Sequence, residues 1–143
     1  AWIVGKTDRF RAAATVKPVI NWLSMALSAD IGMFVKRHWI RAEPWDDPDA
    51  YWQQSPLSLV GNVSTPTLVM VGEEDWRTPT WEAEQFYFAL KQRQVDTALI
   101  RVPGASHYIA RRPSALISKV DNIMGWFADH APAAPDEGNG GSP

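Results

Sequence analysis

The chain has 143 residues, 45% of them hydrophobic and 21% charged, with a formal net charge of −2. That balance suits one modest globular domain and excludes wholesale disorder and a basic nucleic-acid-binding field. It contains no cysteine, which removes disulfides, thiolate metal sites and a cysteine nucleophile.

"AWIVGKTDRF" reads as a helix tail ending near Gly5, because glycine is the usual residue just past a helix end. It lacks the order of a signal peptide and an initiator Met. The expectation is a piece of a longer polypeptide, with the compartment, cytoplasmic or periplasmic, left open. "FRAAATVKPVI" reads as a short buried strand of small and β-branched residues stopped around Pro18. From Asn21 to Ile40 the apolar positions predict helical pieces broken near Gly32. The proline-rich stretch that follows reads as loop, with one short helix over Asp47 to Gln53.

"TPTLVMVG" is the clearest strand, apolar without alternation, as befits a strand covered on both faces. "TWEAEQFYFALKQRQ" is an amphipathic helix with Phe86, Ala89 and Leu90 at helical spacing. "DTALIRVPG" is another strand. In "RPSALISKVDNIMGWFADH", Pro113 suits a first-turn position and Leu116, Ile117, Val120, Ile123, Met124 and Phe127 form one stripe. The tail over 131–143 is Pro, Gly and small polar residues and is expected to be disordered. No apolar run approaches the roughly 20 residues a membrane span needs.

Strands alternating with helices predict a parallel sheet, an α/β fold with right-handed crossovers. Ligands in such sheets sit at the carboxyl ends of the strands. Glu73, Glu74 and Asp75 follow one strand and His107 follows the next. A buried carboxylate there could fix the tautomer of an imidazole and stabilise the imidazolium formed when it takes a proton from a serine. The order acid, then histidine, fits the α/β-hydrolase chain order. Pattern alone leaves the alternative open, since acids and histidines in such loops are common.

The stretch from "SPLSLVGNVSTPTLVMVGEEDWRTP" through "VPGASHYIARRP" resembles the end of the catalytic domain of the prolyl oligopeptidase family of serine peptidases, most closely its acylaminoacyl-peptidase and dipeptidyl-peptidase-like bacterial members. "WIVGKTDRFRAAATVKPVINW" resembles the segment after the nucleophile elbow in that family. The resemblance implies that residues 1–130 are the C-terminal portion of an α/β-hydrolase fold with an incomplete sheet. It places the triad acid on Asp75 and the triad histidine on His107. It makes Arg77 a ligand for a substrate backbone carbonyl and sets Thr78 at the edge of the pocket before the scissile bond, with Trp39 and Val35 lining that pocket too. It implies a peptide substrate and no metal or organic cofactor.

Two departures accompany the likeness. The family motif Gly-x-Ser-x-Gly-Gly is missing, so the serine would lie upstream of Ala1, and the rest of the catalytic domain and the family's β-propeller are absent from the chain as well. The partner first expected is therefore that N-terminal half, with a homo-oligomer left open. Tyr108 stands where a glycine is common and would narrow the site. An esterase or lipase on the same fold, and a non-catalytic binding module, remain as alternatives. Glu73 and Glu74 read as solvated turn residues, Arg77 could instead pair with Glu73 or Glu82, and His38 and His130 read as packing or helix-end residues. Ser106, though beside His107, lacks an elbow context. No two histidines have metal-ligand spacing.

Overall fold

Why six consecutive apolar or small residues form a strand is answered by its position. In the computed structural model, which describes residues 1–132, β2 (Thr67–Gly72) is the middle of three parallel strands and all six of its residues are buried. It lies between β1 (Ala13–Val16) and β3 (Thr97–Val102), with Thr67 level with Ala13 on one side and Thr97 on the other. Val69 and Val71 pack on one face with Ile20, Ala83, Phe86 and Leu90; Met70 packs on the other with Val102, Ala105 and Ile109. A central strand covered on both sides has no solvent face to carry polar residues, hence no alternation.

The connections run through short helices. After β1 come α1 (Trp22–Ser28), α2 (Gly32–Phe34), a π-helical turn over Val35–Ile40 and α3 (Pro48–Gln54). The side chain of Asn21 accepts the Leu23 N–H at the start of α1, and Asp47 accepts the Ala50 N–H at the start of α3. Each satisfies an N–H that the helix itself leaves without a partner. α4 (Thr80–Gln92) joins β2 to β3, and α5 (Pro113–Asp129) follows β3. Strand–helix–strand order with every pairing parallel is the expected α/β arrangement, and the sheet is incomplete.

Several local expectations shift. The segment near Gly5 is a 3₁₀ turn over Ile3–Gly5, and a Cβ on Gly5 would lie 2.6 Å from Leu59 Cβ. The glycine is therefore there for close packing on the 3₁₀ helix Pro56–Asn62, a segment whose composition predicts loop. The first strand is shorter than its sequence signal. The expected tail disorder, beyond Pro132, lies outside the described residues.

Glu82 fastens this layer together. It is fully buried at the start of α4, and its Oε2 accepts the backbone N–H groups of Ile20 and Asn21, both at 2.8 Å, while Oε1 meets the Ser24 hydroxyl. Asn21 Nδ2 donates to Gln85 on the same helix. The segment leaving β1 is thus held against α4 by a carboxyl group. Burial raises the Glu82 pKa above its ordinary value of 4.5, and the hydrogen bonds from Ser24, Asn21, Ile20 and Gln85 oppose the rise only in part.

α5 behaves differently from the other long helix. None of its residues is buried, and Leu116, Ile117, Val120, Met124 and Phe127 are exposed along one stripe. Its C-terminal end is tied down by His130, whose ring contacts Trp126 O at 2.7 Å and Asp96 Oδ2 at 3.0 Å. The outer edge of β1 is unpaired among the described residues. An apolar stripe and a free strand edge together favour association.

Two outcomes are expected. Size-exclusion chromatography of the 143-residue chain should show concentration-dependent association, which Ile117→Glu with Met124→Lys reduces; a monomer before and after substitution would contradict this. Glu82→Gln should lie within about 1 kcal/mol of the parent in urea unfolding at neutral pH, since an amide still offers the acceptor oxygen. Glu82→Ala, which strands buried donors, should cost about 2–4 kcal/mol. Because the folded pKa of Glu82 is raised, its stabilising contribution is complete below about 4.5 and is lost as pH rises through the folded value. Glu82→Gln should remove that slope.

Candidate active site

The carboxyl ends of β2 and β3 deliver two loops to one place. Gly72 ends β2, and a Cβ there would lie 2.2 Å from Ala105 O, so only glycine lets the two backbones approach this closely. Glu73 N–H donates to Val102 O and Glu74 N–H to Ala105 O, which locks the loops side by side. Gly104, with φ of +60°, makes the turn that returns the second loop toward the first.

Asp75 stands at the centre and is only 2% exposed. Its Oδ1 accepts the N–H groups of Arg77 at 3.0 Å and Thr78 at 2.9 Å. Its Oδ2 accepts the Thr78 hydroxyl at 3.1 Å and lies 3.0 Å from His107 Nδ1. A buried carboxylate must be hydrogen-bonded on all sides to be tolerated, and this one is. Its partners also leave it a single orientation. His107 is held by Nδ1, and its Nε2 makes no hydrogen bond among the described residues. The ring lines a cavity of about 190 Å³ bordered also by Asp30, Glu74, Arg77 and Tyr108. Tyr108 is 71% exposed and stands edge-on to the His107 ring at 5.9 Å. A buried acid on one ring nitrogen and no hydrogen bond on the other is an arrangement in which an imidazole can take up a proton.

Arg77 lines the same cavity as His107, but its guanidinium is engaged: Nε and Nη2 bond Asp30 Oδ1 at 2.6 Å and Oδ2 at 3.2 Å. The partner is neither Glu73 nor Glu82. Glu73 instead lies 3.4 Å from Arg101 on β3. Thr78 is buried beneath Asp75, with its hydroxyl committed to the carboxylate, so it braces the acid instead of edging the cavity. Val35 is fully buried and outside the cavity lining, because the π-helical turn directs it into the protein. Trp39 is half exposed and packs edge-on against Trp22 at 5.1 Å and Phe34 at 5.6 Å. Neither shares the cavity of His107. Among the described residues, no group of three acidic or histidine side chains is arranged to hold a metal ion, and no helix is long and apolar enough to cross a membrane.

Three parallel strands alternating with helices, with the polar cluster at their carboxyl ends, define an incomplete sheet of the α/β-hydrolase type. The sequence matches the Prolyl oligopeptidase family over residues 1–133, and the chain belongs to that family. It is 40% identical to the uncharacterized peptidase YuxL of Bacillus subtilis over 131 residues, which cover 90% of this chain and 20% of that protein. It is 33% identical to the human acylamino-acid-releasing enzyme over 134 residues, covering 86% of this chain and 18% of that one. Its fold matches Pyrococcus horikoshii acylaminoacyl peptidase with a TM-score of 0.85 at 24% identity, over 94% of this chain and 23% of that one. The chain thus spans about a fifth of the length of these relatives.

Gly72→Ala should cost about 2–3 kcal/mol through overpacking and shift the His107 ring resonances, because the backbones must part. Unchanged stability and unchanged His107 resonances would show that the close approach is dispensable.

Proposed function

We propose that this chain supplies the acid and the base of a serine peptidase triad, Asp75 and His107, with the nucleophilic serine contributed by a segment outside it. The observation that carries the reading is the 3.0 Å contact between His107 Nδ1 and the buried, fully bonded Asp75, at the ends of adjacent parallel strands in a member of this family. His107 Nδ1–H donates to Asp75, which leaves Nε2 with its lone pair toward the cavity. Nε2 accepts the serine Oγ proton as Oγ attacks the substrate carbonyl, and Asp75 stabilises the imidazolium. The same Nε2–H then protonates the leaving amine. Water enters and gives a proton to Nε2 as its oxygen attacks the acyl carbon; Nε2–H then passes that proton to Oγ as the acyl–Oγ bond breaks, which releases the acid and restores the serine. No metal or organic cofactor takes part in these steps.

The substrate is a short peptide held near its scissile bond. Arg77, at the cavity border, meets a backbone carbonyl of the substrate, and Trp39 offers an exposed aromatic face farther out. Thr78 and Val35 act from behind, one under Asp75 and one in the core. The acylamino-acid-releasing enzymes among the relatives make N-terminally blocked peptides the first substrates to test.

In a polypeptide that includes the upstream catalytic segment, His107→Ala and Asp75→Asn should each lower turnover of a blocked peptide amide by about 10⁴-fold. The 143-residue chain alone should show no serine-inhibitor-sensitive turnover. Variants that keep parental activity would contradict the assignment.

A further inference from the structure

We propose that Asp30 is a specificity-determining residue: its pairing with Arg77 restricts the cavity beside His107 to neutral or cationic groups and turns away anionic ones. The inference rests on the reading of this cavity as the peptidase site, and it concerns a residue that no sequence motif singled out.

The geometry is unusual for a surface pair. Asp30 meets Arg77 through two nitrogens, Nε at 2.6 Å and Nη2 at 3.2 Å. In addition, the Asp30 backbone N–H donates to Trp76 O at 2.9 Å, the residue directly before Arg77. Asp30 is therefore fixed at main chain and side chain to the loop that carries Asp75. Arg77 in turn is fixed at both ends, its guanidinium by Asp30 and its backbone N–H by Asp75. Isolated exposed ion pairs contribute little to stability; a pair with this anchoring is suited to aiming a group.

The aim has a chemical consequence. An arginine with a free fork binds a carboxylate through two parallel N–H bonds. Here the Nε/Nη2 edge is already taken by Asp30, which leaves two hydrogens on Nη1 and one on Nη2. These still meet a carbonyl oxygen, while the charge that would draw a carboxylate to them is offset by Asp30. The charge is also offset. The cavity is bordered by Asp30, Glu74 and Arg77, two carboxylates against one guanidinium, with no lysine or second arginine among its lining residues. A substrate carboxylate entering it meets net negative charge and a guanidinium whose charge Asp30 already offsets. A neutral carbonyl meets an oriented donor without that repulsion.

The test compares acetyl-Ala-Ala-p-nitroanilide with succinyl-Ala-Ala-p-nitroanilide, which differ by one methylene and one carboxylate, in the polypeptide that includes the upstream catalytic segment. The parent should favour the acetyl substrate in kcat/KM. Asp30→Asn keeps the shape and removes the charge, and should raise the succinyl-to-acetyl ratio about tenfold at low salt, with the gain shrinking as salt is added. Asp30→Ser, which also empties the fork, should raise the ratio in the same direction. A merely structural Asp30 would lower both substrates together and leave the ratio in place, and that result would overturn the proposal. His107→Ala serves as the control. If it abolishes turnover while the Asp30 variants keep the parental ratio, the specificity proposal alone fails. If it leaves turnover intact, the peptidase reading of the cavity fails and the proposal with it.

Discussion

A carboxylate that is almost fully buried cannot stand alone, and the Asp75 side chain shows how completely the surrounding structure is organised by that constraint. Two backbone N–H groups, one hydroxyl and one imidazole nitrogen surround its oxygens. Each donor has been placed by something else: the tight turn from Asp75 to Thr78, the close approach of Gly72 to Ala105, the return of the chain at Gly104. Removing one of these would leave the charge partly unpaired in a site with little water, which is far more costly than losing the same bond at the surface. The His107 position is thus a consequence of satisfying Asp75, which takes Nδ1 and leaves Nε2 without a hydrogen bond among the described residues.

The layer around the site is held by a second buried carboxyl group with a different purpose. Glu82 has no place at the cavity. It bonds the segment that leaves β1, and that segment runs on to Asp30, which pairs with Arg77. One acid therefore holds the His107 ring, and another holds the route by which a third reaches the rim. The exposed stripe of α5 and the open edge of β1 show where the fold offers further surface to be covered.

Much of the arrangement was legible in the sequence for physical reasons. A strand buried on both faces has to be apolar throughout, so β2 was visible, and with it the loop that carries Asp75. The regular exchange of strand and helix made a parallel sheet the economical reading, and that placed His107 beside the acid. What escaped was non-local or geometric. Asp30 and Arg77 are far apart in the chain, and no periodicity links them. The resemblance sets Thr78 at the pocket edge, and nothing in its spacing reveals that its hydroxyl is spent on Asp75. The π-helical turn rotates Val35 inward and leaves Trp39 at the surface, a shift that a regular helical period does not foresee. Glu82 did leave a signal: it precedes Phe86 by four positions and Leu90 by eight, on the buried face of α4, where a charged residue calls for a partner.

If Asp75 holds His107 with a reactive Nε2, a histidine-directed label should report it. A peptide chloromethyl ketone, applied to the polypeptide that includes the upstream catalytic segment, should alkylate His107 at Nε2, as mapped by mass spectrometry, and spare His38 and His130. Asp75→Asn should suppress the labelling, because an amide that donates to Nδ1 leaves the proton on Nε2. Labelling spread over the three histidines, or labelling of His107 that persists in Asp75→Asn, would contradict the account.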